Sequence, residues 1–326
     1  MPKNRHLSRV VLVANQKGGV GKSSIVAAVG AMAASPNRRV LIVDADQQGN
    51  VSRTDLGVQG DKGKSLAIAL QYDQPLQPVS EVRAGLDVIS GGPHLAAVSA
   101  MASQASAAGV DLAKNLASTL GALCAREAYA LVLIDSGPGD APLLDALLDT
   151  ARYLVVPSCD DEASLEGVEL LAARYLRARQ RGSMIDLLGV VLFNVNPRAT
   201  ARNGQVLTAI GEMLEGSGAK AFETVIRTDK AAAVDMRARH LTPAELVDVA
   251  ARSTKGRLER LRAAVSVVAS QAHEGGNDRP KLSRGSVEDQ LWSRDPSGLA
   301  NDYQKLAREL ITRLTVQEGR HRAKVS

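Results

Sequence analysis

Apolar and polar positions alternate in blocks along the chain. Short, nearly continuous runs of Val, Leu and Ile recur: "VVLV" at 10–13, "RRVLIVDAD" at 38–46, "GLDVISGG" at 85–92, "ALVLIDSGPG" at 130–139, "RYLVVPS" at 152–158, "LLGVVLFNV" at 187–195 and "AFETVIR" at 221–227. Between them lie longer stretches with helical spacing, such as 163–181 and the alanine-rich stretch that begins at Ser23. A strand that is apolar at every position is covered on both faces, and strands that alternate with helices are joined by crossovers. The pattern therefore predicts an α/β fold: a mostly parallel, doubly wound sheet with helices on both faces. Ligands of such sheets bind at the carboxyl ends of the strands, so candidate chemistry is sought there.

Size and composition narrow the class. A chain of 326 residues that is 45% hydrophobic can bury a large core, and one α/β unit with an appendage suits it better than two equal domains. No run approaches the ~18 apolar residues of a membrane span, and the N-terminus has no hydrophobic signal region, so the expected place is the cytoplasm. Cys124 and Cys159 stand far apart outside any C-x-x-C pair, which makes inert thiols the expectation. Residues 252–326 carry 15 Lys and Arg against 9 Asp and Glu, whereas the rest of the chain has 25 against 26, so the net charge of +5 resides in the C-terminal quarter. That surplus is either solubilising surface or a polyanion contact. With only 2% aromatic residues the chain lacks the stacking platforms of single-strand binders, which leaves duplex DNA held through its phosphates.

The first strand runs into "ANQKGGVGKSS", a glycine-rich turn that opens a helix. Strand, turn and helix together point backbone N–H groups and the positive end of a helix dipole at one spot, which suits a polyphosphate. Lys22 after Gly21 would reach the β- and γ-phosphates, and the Ser23 hydroxyl would be a ligand of Mg²⁺. The common form of this loop has Gly six residues before the lysine; here that position is Gln16, followed by a second lysine, Lys17. Two more strands end in acid, "VLIVDADQQGN" in Asp44 and Asp46 and "LVLIDSGPGD" in Asp135. A carboxylate after an apolar run orients Mg²⁺ in such proteins, a role for Asp135 with Asp44 as a further candidate ligand; Asp44 or Asp46 is left to position an attacking water. Helix caps and loop residues are the plainer reading of each acid taken alone.

Taken together, "KGGVGKSS", "VDADQQGN", "VLIDSGPG" and "VVPSCDDEASLEGVELL" resemble the ParA family of DNA-segregation ATPases, within the wider ParA/MinD group of deviant Walker ATPases. The resemblance covers residues 10 to about 240 in order, and "GLANDYQKLARELITRL" at 298–314 resembles the family's last helix. It implies an ATP- and Mg²⁺-dependent ATPase, slow until stimulated, that dimerises around two ATP molecules. Lys17 then matches the signature lysine that reaches the ATP of the other subunit, where a cation offsets the repulsion between two facing triphosphates. Gly18 would lie at the close approach of the subunits, and Gly19, Val20, Gly21, Lys22, Ser23 and Ser24 would complete the nucleotide loop. Asp46 matches the hydrolytic aspartate. Asn194 matches the position that reads adenine, although an Asn that closes a strand is also a common turn residue. The family's ATP dimers bind DNA without sequence preference, for which Arg198, Arg202, Arg227, Lys230, Arg237 and Arg239 are the candidate phosphate contacts.

The implied partners are a second copy of the chain, non-specific duplex DNA and a ParB-like stimulating protein, and the implied place is the nucleoid, where the protein would segregate or position a replicon or a cargo. The expected organisation is an ATPase unit over 1–250, a basic helical segment and mobile loop over 251–297, and a C-terminal helix packed on the ATPase unit with a basic tail over 298–326. Departures exist. Gln47 replaces the family's usual Pro, and Gly-Pro-Gly replaces a Pro-Pro type turn after Asp135. A MinD-like membrane regulator is the alternative, but the last helix has only a modest Leu/Ile stripe and no bulky aromatic, so no stable membrane binding is expected. A metal-carrier relative would need a cluster-binding cysteine pair, which is missing.

Overall fold

The computed structural model describes residues 5–215, 217–255 and 291–323. The basic pattern read at 253–272 and the loop after it therefore lie, from residue 256 to 290, outside the described residues. Eight strands form one sheet: β1 (Val10–Val13), β2 (Val40–Ala45), β3 (Val79–Arg83), β4 (Leu86–Ile89), β5 (Leu131–Ser136), β6 (Tyr153–Ser158), β7 (Asp186–Val195) and β8 (Ile226–Arg227), in the order β3-β4-β2-β5-β1-β6-β7-β8. All neighbours are parallel except β3 and β4. The helices are α1 (Lys22–Ala33), α2 (Lys64–Tyr72), α3 (His94–Ala107), α4 (Leu112–Glu127), α5 (Ala141–Thr150), α6 (Glu162–Gln180), α7 (Thr200–Met213), α8 (Lys230–Arg239), α9 (243–255) and α10 (Ser297–Ala323).

The two faces of the sheet own separate cores, as the period of two in a strand requires. Val10 and Leu12 point into a layer with Leu120 and Leu123 of α4, Leu144 and Leu147 of α5 and Leu171 of α6. Val11 and Val13 point the other way, against Ile25 and Val29 of α1 and Tyr303, Leu306 and Leu310 of α10. Every residue of β1, β2, β5 and β6 is buried, which is why those strands read as unbroken apolar runs.

Two elements differ from the sequence-based expectation. The strand expected over 221–227 pairs only at Ile226–Arg227. The amides of Glu223 and Thr224 donate to the Glu309 carboxylate of α10, at 3.0 Å each, so they have no ladder to join. The antiparallel strand β3 was not visible in the sequence because it lies at the sheet edge and is mostly half exposed to exposed, without an apolar run.

The last helix is longer than expected and is tied to the sheet along its length. Asp302 accepts from the backbone amide, Nε and Nη2 of Arg227. Arg313 donates to the carbonyls of Leu188, Lys220 and Ala221 and lies 4.0 Å above the Phe222 ring. Glu318 pairs with Arg9 ahead of β1. The apolar stripe of α10 is thus spent inside the protein, as the weak amphipathicity suggested. Among the described residues no helix is long and apolar enough to cross a membrane.

Beyond β2 the chain makes a π-helical turn, Asn50–Asp55, that reaches α8. His240, capping α8, contacts the Thr54 carbonyl through Nδ1 at 2.8 Å, and Asp55 stands 4.0 Å from Arg237. Burial holds the Asp55 carboxyl up to about 6, with Arg237 opposing it. Because folding raises this pKa, the folded state is favoured most below about pH 4, and that contribution is lost as pH rises through 6. An Asp55→Asn variant, neutral throughout, should gain about 1–3 kcal/mol over the wild type between pH 4 and 7, read from chemical denaturation at both pH values. By the same measurement Leu306→Ala, in a position without solvent exposure, should cost about 2–5 kcal/mol; a loss below 1 would mean that α10 is not part of the cooperative core.

Candidate active site

Strand register brings the acidic ends together. Val13, the last residue of β1, lies opposite Asp135 of β5, and Asp135 lies opposite Asp44 of β2. From β1 the chain enters the glycine-rich turn. Asn15 fastens that turn to β6: its Nδ2 donates to the Pro157 carbonyl at 2.7 Å and its Oδ1 accepts from the Lys17 amide at 3.0 Å. Gly21 sits at φ 90°, a left-handed conformation, and a Cβ there would come within 2.4 Å of the Phe193 ring, so no other residue fits. Gly18 and Gly19 are exposed, with nothing of the chain near the space a side chain would take.

Gly21 caps α1 without any side-chain bond to the first turn, leaving its N–H groups for an anion. Lys22 is buried and donates from Nζ to the Lys17 carbonyl at 2.8 Å; burial lowers its pKa, against the pull of Asp135 and Asp46. Val20 packs inside the loop, Ser23 donates to Asp135 Oδ2 at 2.7 Å, and Ser24 hydrogen-bonds the buried Tyr303.

Asp135 is wholly buried, and its Oδ1 has no hydrogen-bond partner. Burial first, and Asp44 second, push its carboxyl well above the carboxylate range. An orphaned oxygen beside a serine hydroxyl and a lysine fits a divalent cation bound with polyphosphate. Among the described residues no cluster of three His, Cys, Asp or Glu could hold a metal. Mg²⁺ takes one or two protein ligands and completes its shell with phosphate oxygens and water, and Ser23 with Asp135 are the residues that would supply them. Asp44 departs from its expectation as a metal ligand. Its Oδ2 accepts from the Ser52 amide and hydroxyl at 2.8 and 2.7 Å, and its Oδ1 accepts from the Asp46 amide at 3.2 Å. Both oxygens are therefore spent on shaping the turn after β2. Asp46, which that turn presents, accepts from the Gln48 amide at 2.9 Å and faces the Gly137 turn, where a Cβ would be 2.9 Å from its Oδ1.

Lys17 is folded against its own chain. Its ammonium pairs with Asp161 and lies 3.1 Å from Ser164 Oγ at the start of α6. Sequence reasoning missed this contact, although Asp161 three residues before Ser164 is an N-cap pattern, and Asp161 does accept from the Ser164 amide at 2.9 Å. Asn194 has φ 60° and lines a cavity of about 190 Å³ with Ser24, Phe193, Asp229, Lys230 and Tyr303, so it is both a turn residue and a pocket residue.

The basic candidates follow β7 or lie on β8 and α8, and they are not equivalent. Arg198 and Lys230 are exposed, and Arg239 is half-buried. Arg202 pairs with Asp160, and Arg237 faces Asp55. Arg227 is the exception to the phosphate-contact expectation, because its guanidinium is committed to Asp302 and fastens β8 to α10.

Comparisons with known proteins follow the same geometry. A family model described as an AAA domain matches residues 8–184. The chromosome-partitioning ATPase Soj of Thermus thermophilus is 31% identical over 222 residues, 67% of this chain and 80% of that protein. Cobyrinic acid a,c-diamide synthase from Mycobacterium smegmatis, solved with bound ADP and magnesium, is 26% identical with a TM-score of 0.57, covering 71% of this chain and 92% of that one. The pNOB8 ParA bound to nonspecific DNA shares the fold at 22% identity and a TM-score of 0.52, covering 64% of this chain and 76% of that one. With over half its length matched by the AAA-domain model and this kinship to Soj, the chain belongs to the ParA family of partition ATPases.

Proposed function

We propose that the protein is an ATP-dependent dimer that binds duplex DNA non-specifically and hydrolyses ATP slowly until a ParB-like partner stimulates it, so as to segregate a replicon or position a cargo on the nucleoid. The observation that carries this reading is the pairing of two lysines on one loop: Lys22 is buried within reach of the charge of Asp135, and Lys17, next to the uncovered Gly18, is held at the start of α6 by Asp161 and Ser164. One loop thus offers a cation to its own phosphates and a second to a partner's. The neighbour with bound ADP and magnesium and the ParA solved on nonspecific DNA support the ligands proposed.

The residues divide the work. The first-turn amides of α1 and Lys22 would hold the β- and γ-phosphates, and Ser23 with Asp135 would hold Mg²⁺, which supplies charge neutralisation at those phosphates. Asp46, kept in place by the turn that Asp44 organises, would orient the attacking water. Lys17, freed from Asp161, would reach across to the other subunit, and Asn194 would meet the adenine at the cavity mouth. Arg198, Arg202, Lys230, Arg237 and Arg239 would meet DNA phosphates. The ATPase unit would span 1–250, with the basic segment at 251–297 appended and 298–326 returning to pack on it.

Lys17→Ala should leave nucleotide affinity within about threefold, a change below 1 kcal/mol, while ATP-dependent dimers disappear in analytical ultracentrifugation. Equal dimerisation by both proteins would remove the role given to the second lysine. Binding to a random-sequence duplex should require ATP and fall steeply with salt, each lost phosphate contact lowering the slope of log K against log[salt] by about 0.9. Reversing Arg198 and Lys230 should weaken that binding with nucleotide affinity unchanged; Arg227→Ala should instead lower the unfolding midpoint.

A further inference from the structure

The backbone of Lys17 is pinned at both ends while its side chain leaves the loop. Its amide donates to Asn15 Oδ1 at 3.0 Å, and its carbonyl accepts from Lys22 Nζ at 2.8 Å. The ammonium goes to the start of α6, where it pairs with Asp161 and lies 3.1 Å from Ser164 Oγ. These three groups close a ring, because the Ser164 hydroxyl donates to Asp161 Oδ2 at 2.8 Å and the Ser164 amide donates to Oδ1 at 2.9 Å. The bond from Lys17, ahead of the opposing effect of burial, holds the Asp161 carboxyl below the ordinary carboxylate range. Close packing keeps helix and loop in register: a Cβ at Gly167 of α6 would be 2.5 Å from Asn15 Oδ1 and 3.2 Å from Lys17 Cβ.

The contact is one that opens at little cost. When the ammonium leaves, Asp161 still accepts from Ser164 and still caps α6, and the Ser164 hydroxyl keeps its acceptor, so no buried polar group is orphaned. The side chains of Lys17 and Asp161 are 33% and 47% exposed, so water replaces the lost charge contact. With its amide and carbonyl held, Lys17 changes partner by rotating its side chain, without moving the loop. A lysine bound to its own chain is withheld from any other acceptor. We propose that Asp161 is a positioning residue for Lys17, parking the ammonium on α6 and so setting the protein concentration at which two copies join around ATP. This rests on the dimer reading above and adds to it the group that competes for the lysine. A binding-competent state that is only fractionally populated weakens apparent affinity by that fraction, and a two-fold dimer must open two such contacts.

Sedimentation of the full-length protein with ATP and Mg²⁺ over a range of concentrations tests this. Asp161→Asn keeps a capping side chain and removes the charge. It should dimerise at about tenfold lower concentration, about threefold for each released lysine, with ADP affinity and unfolding midpoint kept. The gain should shrink as salt rises, since screening opens the contact in the wild type too, and Lys17 of the variant should react faster with acetic anhydride in the monomer. A carboxylate that only capped α6 would change neither. Asp160→Asn, which removes the neighbouring charge paired with Arg202, should leave dimerisation as it is. Unchanged or weaker dimers of Asp161→Asn, beside a wild type that dimerises, overturn this proposal and leave the dimer reading standing. An equal gain in Asp160→Asn also overturns it, because the effect then belongs to the net charge of that face. If neither the wild type nor Asp161→Asn dimerises with ATP, both readings fall.

Discussion

The structure depends on burying opposite and like charges together at the ends of three adjacent strands. Asp44, Asp135 and Lys22 lie where β2, β5 and the β1 loop meet, all but closed to water. Burial pushes Asp135 well up and holds Asp44 up to about 6, while it lowers Lys22. Charges in such a place are costly unless hydrogen bonds and counter-charges offset the lost hydration. Asp44 finds its offsets in Ser52 and the Asp46 amide; Asp135 finds only Ser23 for one oxygen and Lys22 for charge. The cluster is therefore electrostatically uneven, with Asp135 Oδ1 buried and without a hydrogen bond.

The scaffold keeps that arrangement rigid from both faces. On one side α4, α5 and α6 cover the strands, and on the other α10 is strapped across the sheet by Arg227, Arg313 and Glu318. Two of these ties use side chains in place of strand pairing, which explains how an edge as short as β8 stays attached. Arg227 illustrates how charge serves the fold: the same guanidinium cannot both clamp Asp302 and stand free for a phosphate.

Much of the fold was legible because its parallel strands are buried on both faces and so leave an uninterrupted Val/Leu/Ile signal. The glycine-rich turn and the acids Asp46 and Asp135 were legible because they sit directly after such strands. Part of what was not legible depends on partners distant in sequence, and part on local turn geometry or exposure. Nothing in "AFETVIR" announces that Glu309 will take its amides, and nothing near Asp44 shows that both its oxygens will go to the turn that follows. The Lys17–Asp161 pair joins residues 144 positions apart, and the edge strand β3 lacks the burial that makes a strand readable.

The π-helical turn at Asn50–Asp55 has a consequence for thermodynamic linkage. At one end Ser52 holds Asp44, and at the other Thr54 and Asp55 meet His240 and Arg237 of the basic helix. An element wound with one residue too many per turn is held by its neighbours more than by itself. To the extent that nucleotide alters the turn, whatever binds α8 must alter nucleotide affinity by the same factor, since coupling free energies are reciprocal. A ligand held at α8 would then act as an effector of the nucleotide loop at the far end of the same turn.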